Sequence, residues 1–171
     1  MKKILIALIA VAAVSISASA QKFAIVDMDY ILRNVPNYEM ANEQLNQVSL
    51  SWEREITELS KAAETMYKNY QAEMVFLTDN QKKKREEEIV AKEKEVTEAR
   101  YKYFGPEGEL YKKRQSLMKP IQEDVYNALK AVAEEKGYNV IFDRNSSQSI
   151  VFASPRIDVS NEVLAKLGYA K

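Results

Sequence analysis

Between Pro36 and Lys136 the chain has almost no turn chemistry, and its apolar residues recur at helical spacing. They run Tyr38, Ala41, Leu45, Val48, Trp52, Ile56, Leu59, Ala63, Met66, Tyr70, Met74 and Leu77, always three or four residues apart. Tyr38 to Ile56 and Ile56 to Met74 are each eighteen residues, five turns of a helix at about 3.6 residues per turn. That period predicts a straight amphipathic rod with one apolar stripe, not the supercoil that a strict heptad imposes. Farther on the pattern changes. Ile89, Val96, Tyr103, Leu110 and Leu117 recur every seven residues, with mostly charged residues at the other seam positions (Lys92, Glu93, Glu107, Arg114). After Pro120 the stripe thickens, with Ile121, Val125, Ala128, Leu129 and Val132. Globular helices average about 11–12 residues, so a stretch this long reads as one very long helix or a hairpin of two. The best place to reverse is Phe76–Asn80, with Thr78 or Asp79 capping the second helix. Roughly 40 residues at 1.5 Å rise make an arm of roughly 60 Å. Pro36 and Pro120 would then lie level with each other, two helix breakers marking where the arm meets a body.

The flanking segments read differently. Phe23 to Asp29 is a strand by composition, and Tyr30–Arg33 gives room for one helical turn. Gly137 stops the long helical stretch. Tyr138–Phe142 is a second strand, Asn145-Ser146-Ser147-Gln148 a turn, and Ser149–Ala153 a third strand. Asp158 or Ser160 caps a short helix through Leu167, stopped by Gly168. The predicted class is α+β, predominantly α: a long antiparallel helical hairpin on a small β-strand body. Three strands leave two edges open and enclose little core, so oligomerisation is expected to complete the body. Phe23, Ile25, Val26, Val140, Ile141, Phe142 and Val151 are its expected interface. The division is residues 1–20 as a leader, 21–36 with 120–171 as the association body, and 37–119 as the arm.

Composition narrows the chemistry. The 171 residues hold 25 Lys and Arg, 25 Asp and Glu, no Cys and no His. Thiolate and imidazole catalysis and the usual zinc sites are excluded, no cofactor is indicated, and no basic stripe suggests nucleic acid. Lys2-Lys3, the apolar run Ile4–Ile16 and the small residues Ala18-Ser19-Ala20 form a secretory signal, with cleavage expected after Ala20. The run is short of the ~20 residues that span a bilayer. Without Lys2 and Lys3 the mature chain has 23 cations and 25 anions, a net charge of −2. Asp27 and Asp29 alternate along the first predicted strand like a paired-carboxylate site. No nucleophile or ligand cluster accompanies them, so they read as strand-end residues bonding Arg144 or backbone, and no enzyme is expected.

Three segments together carry a resemblance: Phe23-Ala24-Ile25-Val26-Asp27-Met28-Asp29-Tyr30-Ile31-Leu32, Tyr138-Asn139-Val140-Ile141-Phe142-Asp143-Arg144-Asn145, and Val151-Phe152-Ala153-Ser154-Pro155 with Ile157–Leu164. With the leader and the charged hairpin, they make the chain similar to the Skp/OmpH family of periplasmic chaperones. The similarity spans the whole mature chain. It implies a homotrimer whose strands form a small β-barrel. Three arms would project from it around a cavity that holds unfolded outer-membrane β-barrel precursors without ATP. Familiar members are strongly basic and this mature chain is slightly acidic, so no residues are carried over for lipopolysaccharide or membrane-surface contact.

Three candidate sites follow. The distal set Met66, Tyr67, Tyr70, Met74, Val75, Phe76 and Leu77 offers polarisable and amphipathic side chains, suited to an adaptable client surface or to an intra-arm seam. Lys82-Lys83-Lys84-Arg85 is the densest basic cluster, suited to contact with anionic lipid, a membrane surface or an acidic client, but it reads chiefly as a solvated face. Residues 78–104 carry eight cations and seven anions, and Glu86-Glu87-Glu88 lie within pairing distance. Gly105, Pro106 and Gly108 interrupt the second helix and form a candidate hinge, with Trp52 expected opposite. The reading is an exported holdase for unfolded envelope proteins; its alternative is a client-free coiled-coil spacer.

Overall fold

The computed structural model describes residues 22–146 and 150–169. The leader, Ser147-Gln148 of the predicted turn and Ser149 of the predicted third strand lie outside them. The described chain falls into two compact units, residues 35–124 and residues 22–34 with 125–169.

In the first unit, α2 (Pro36–Glu73) begins with Pro36 in its first turn, where a missing N–H costs nothing and the fixed φ suits the helix. Its apolar stripe is what the period predicts. Of Tyr38 through Leu77, every stripe position is buried or half-buried except Met74. The chain reverses at Met74–Phe76, and Thr78 caps α3 (Asp79–Phe104). The Gln81 N–H donates to Thr78 Oγ1 at 3.4 Å, and the Thr78 N–H donates to Gln81 Oε1 at 2.9 Å, a reciprocal capping box. α2 and α3 pack antiparallel, which Tyr70 with Glu86, Glu73 with Arg85 and Glu55 with Tyr103 register across the pair. The seven-residue seam is also observed: Ile89 and Tyr103 are buried, and Val96, Leu110 and Leu117 half-buried.

After the interruption at residues 105–108, α4 runs Glu109–Lys136 with Pro120 inside it. Pro120 therefore breaks nothing, contrary to its expected role as a boundary marker. Loss of one helical bond and a ring clash cost about 3 kcal/mol, against which stands burial of Val125, Ala128 and Val132 a turn or more beyond.

The second unit is built on β1 (Phe23–Val26), parallel to β2 (Val140–Asp143), with Phe23 opposite Val140 and Val26 opposite Asp143. β1 is shorter than predicted. Asp27 leaves the strand and caps α1 (Met28–Arg33), its Oδ1 accepting from the Tyr30 N–H at 2.9 Å. The helical turn expected at Tyr30 thus starts two residues earlier, and Asp29 lies in its first turn, not on the strand. The predicted third strand is absent among residues 150–153. Instead the free side of β1 is met by a single bridge from Ile25 to Asp158, where the Val159 N–H donates to the Ile25 carbonyl at 2.9 Å. A 3₁₀ turn (Pro155–Ile157) leads into this bridge, and α5 (Ser160–Lys166) follows it. Gly137 and Gly168, at φ 70° and 84°, make the two left-handed helix stops. Ala24, Ile25, Val26, Ile31, Val125, Val132, Val159, Val163 and Leu164 form the core.

Candidate functional site

The turn between α2 and α3 gathers apolar side chains where nothing covers them. Val75 is 76% exposed and Phe76 85% exposed, with Met74 and Tyr67 also exposed, each to a little under half. The charged, well-capped start of α3 explains this, because Asp79 to Glu88 offers no apolar surface for the turn to fold against. Of the seven predicted distal residues, these four form the open surface. Met66, Tyr70 and Leu77 are half-buried and belong to the seam. The Tyr70 hydroxyl bonds Glu86, and that bond raises its pKa above the ordinary tyrosine value. Arg85, from the basic cluster, pairs with Glu73 at 3.6 Å and Glu88 at 3.8 Å, as a solvated face does.

The interruption of the second helix is closely packed. Trp52 stacks on Tyr103 with ring centroids 4.8 Å apart and planes 6° apart, and meets Phe104 edge-on at 6.4 Å. The Tyr103 hydroxyl donates to Glu55, with Oε1 and Oε2 at 2.9 and 3.0 Å. The glycines are required by contact. A Cβ on Gly105 would stand 2.4 Å from the Tyr101 carbonyl oxygen, and one on Gly108 2.8 Å from that of Tyr103. The Gly108 N–H donates to the Gly105 carbonyl at 2.9 Å, closing a turn around Pro106.

In the strand unit, the expected interface residues separate into two groups. Ile25 and Val26 are buried in the chain's own core, while Phe23, Val140 and Phe142 are exposed and Ile141 half-exposed. Val151 is 98% exposed and its neighbour Phe152 83% exposed. Sequence reading passed over Phe152, because strand alternation assigns two neighbouring residues to opposite faces. Two large apolar residues in succession beside turn chemistry were the available signal.

Asp27 is a structural residue. Besides capping α1, its Oδ1 accepts from Asn145 Nδ2 at 2.7 Å, and its Oδ2 pairs with Arg144 Nη2 at 3.1 Å. Arg144 also reaches Asp158 Oδ2 at 3.4 Å. Ser160 Oγ accepts from the Asp27 N–H at 2.8 Å and donates to Asp158 Oδ1 at 2.6 Å. Strand ends far apart in sequence are thereby tied together, with donors already committed. Asp29, in the first turn of α1, makes no side-chain hydrogen bond or ion pair with this network.

The model of the family described as outer membrane protein (OmpH-like) matches residues 22–167. The chaperone protein Skp of Yersinia enterocolitica is 25% identical over 155 residues, which cover 91% of this chain and 91% of that protein. A Caulobacter crescentus CB15 crystal structure, described as an OmpH-like outer membrane chaperone, is similar with a TM-score of 0.71 at 14% identity. The match covers 88% of this chain and 86% of that one, a likeness of fold. Most of the chain falls within the family match, and it belongs to the OmpH-like outer membrane protein family.

Proposed function

We propose that this chain is a periplasmic holdase that binds unfolded outer-membrane β-barrel precursors without ATP, between the helical arms of a homotrimer. One observation carries the reading: an uncovered apolar turn, Met74 to Phe76, at the end of an otherwise charged two-helix arm. Several weak apolar contacts in a charged setting hold a client without freezing one conformation, since the affinity of each contact is small and its partner interchangeable. Tyr67, Met74, Val75 and Phe76 make first contact, and Met66, Tyr70 and Leu77 support them. Export through a leader cleaved after Ala20 brings the protein to its clients. Association runs through Phe23, Val140, Phe142, Val151 and Phe152, the exposed apolar residues of the strand unit. The Gly105–Gly108 interruption sets the bend of the arm and hence the size of client it accommodates.

The test is to dilute a urea-unfolded outer-membrane barrel into buffer with the mature protein and follow light scattering. Suppressed scattering that is lost in Val75→Ser/Phe76→Ser supports the reading. Aggregation unchanged by the wild-type protein overturns it in favour of a spacer. Sedimentation equilibrium gives the copy number, and a monomer at micromolar concentration refutes the trimer.

A further inference from the structure

Beside the α2–α3 seam, two hollows lie in line on one side of the arm. The one nearer the tip, about 330 Å³, is lined by Ser60, Ala63, Glu64, Tyr67, Glu93 and Val96. The one nearer the interruption, about 440 Å³, is lined by Glu53, Ile56, Thr57, Arg100 and Phe104. The lining steps by seven on both helices: Glu53 to Ser60 to Tyr67, Ile56 to Ala63, Thr57 to Glu64, and Glu93 to Arg100. Seven residues of helix rise about 10.5 Å. The hollows are therefore one heptad apart, in a groove floored by Ile56, Ala63 and Val96.

That spacing selects the shape of an occupant. A helix brings residues seven apart to one face at the same ~10.5 Å interval and seats each as a knob between side chains of its neighbours. An extended segment presents one residue per ~6.7 Å on a face and cannot fill both hollows in register. Charge selects the chemistry. The tip-side hollow is rimmed by Glu64, which pairs with Lys68, and by Glu93, while Glu53 and Arg100 both line the other. With Glu64 held by Lys68 and Glu53 beside Arg100, the carboxylate left to meet an incoming cation is Glu93. We propose that this side of the arm is a docking groove for one amphipathic helix of a partner polypeptide, apolar at positions seven apart and carrying Lys or Arg where it passes Glu93. The groove shares Tyr67 with the client surface but does not use Val75 or Phe76, so neither kind of binding requires the other.

The probe is a short fluorescein-labelled peptide with Leu at heptad positions and Lys beside them, titrated with the full mature protein by fluorescence anisotropy. Two control peptides carry Glu in place of Lys, or a central Pro. The Lys peptide is expected to bind, and the Pro-interrupted one at least about tenfold more weakly, a difference of ~1.4 kcal/mol. Glu93→Lys, at an exposed position, reverses the preference between Lys and Glu peptides while far-UV circular dichroism stays unchanged. Equal binding of the Pro-interrupted peptide, unchanged preference in the reversed variant, or no binding of the Lys peptide each overturns the proposal. The same variant in the light-scattering assay separates the two ideas: suppression of barrel aggregation persists in it whether or not the groove binds helices.

Discussion

The arm and the strand unit are stabilised by contacts of opposite range. In α2 and α3 the stripe residues have neighbours three or four positions away on the same face, or partners across the hairpin, and the ion pairs lie in solvent. In the strand unit almost every decisive contact is remote in sequence. The Asp27 N–H bonds Ser160, 133 residues on, and the Met28 N–H bonds Asp143, 115 residues on. A repeated local pattern tolerates the loss of one member. A network of remote contacts has no spare members, and closing each long loop carries an entropic cost that the network as a whole must offset.

The largest effect should therefore come from the strand core. Val163→Asp, at a fully buried position, should cost about 3–5 kcal/mol and unfold that unit. Far-UV circular dichroism in urea checks this. Fluorescence of Trp52, the one tryptophan of the chain, should report on the arm separately, and simultaneous loss of both signals would erase the contrast. Next is Gly105→Ala. Helix propensity alone would favour Ala by about 1 kcal/mol, but its Cβ meets the Tyr101 carbonyl at 2.4 Å. We expect net destabilisation of about 1–3 kcal/mol, read from the urea midpoint of Trp52 fluorescence; a stabilised variant would mean that the interruption straightens freely. Tyr103→Phe keeps the Trp52 stack and removes the Glu55 bond, for an expected loss of about 1 kcal/mol by the same measurement.

Acid should discriminate more finely. Burial raises the Asp143 pKa, but hydrogen bonds from Ser146 and from the Asn145 and Met28 N–H groups outweigh it and leave it below the usual carboxylate value. A depressed folded value means that the stabilisation is complete above the unfolded pKa of about 3.9 and is lost as pH falls through the folded value. Urea midpoints measured across that window should fall for the wild type and fall less for Asp143→Asn; parallel curves would sink the assignment. Least of all should be Lys94→Ala, which removes an exposed pair with Glu98. A midpoint shift above about 0.5 kcal/mol would show that the arm depends on its surface charges.

This contrast also explains what was legible in the sequence. The α2 stripe, the Thr78 cap and Trp52 opposite the glycine interruption follow from periodicity and hairpin arithmetic, both local. Pro120 misled because the rule for proline is local, whereas the packing that holds α4 together beyond it is not. Residues 150–153 misled for the complementary reason. β-propensity describes fitness for a paired, half-buried surface, and among the described residues this segment pairs with none. Of the candidate site, the exposed turn could be read from Val75 and Phe76 falling off the stripe. The heptad-spaced hollows could not, since they depend on how two helices align.

β2 lies along one side of β1, and Asp158 and Val159 meet the other at Ile25. Among the described residues, the outer side of β2 is thus the strand edge left open along its whole length. Two copies could join such edges about a two-fold axis, an isologous contact that closes at two. A three-fold ring contains no two-fold contact. Its interfaces are heterologous, so the edge of β2 must meet a different surface of the next copy. The Val151–Phe152 segment fits that part: apolar, exposed and lacking a ladder of its own. In such a ring the missing strand forms only across a subunit boundary, and ring closure and completion of the sheet become a single cooperative event.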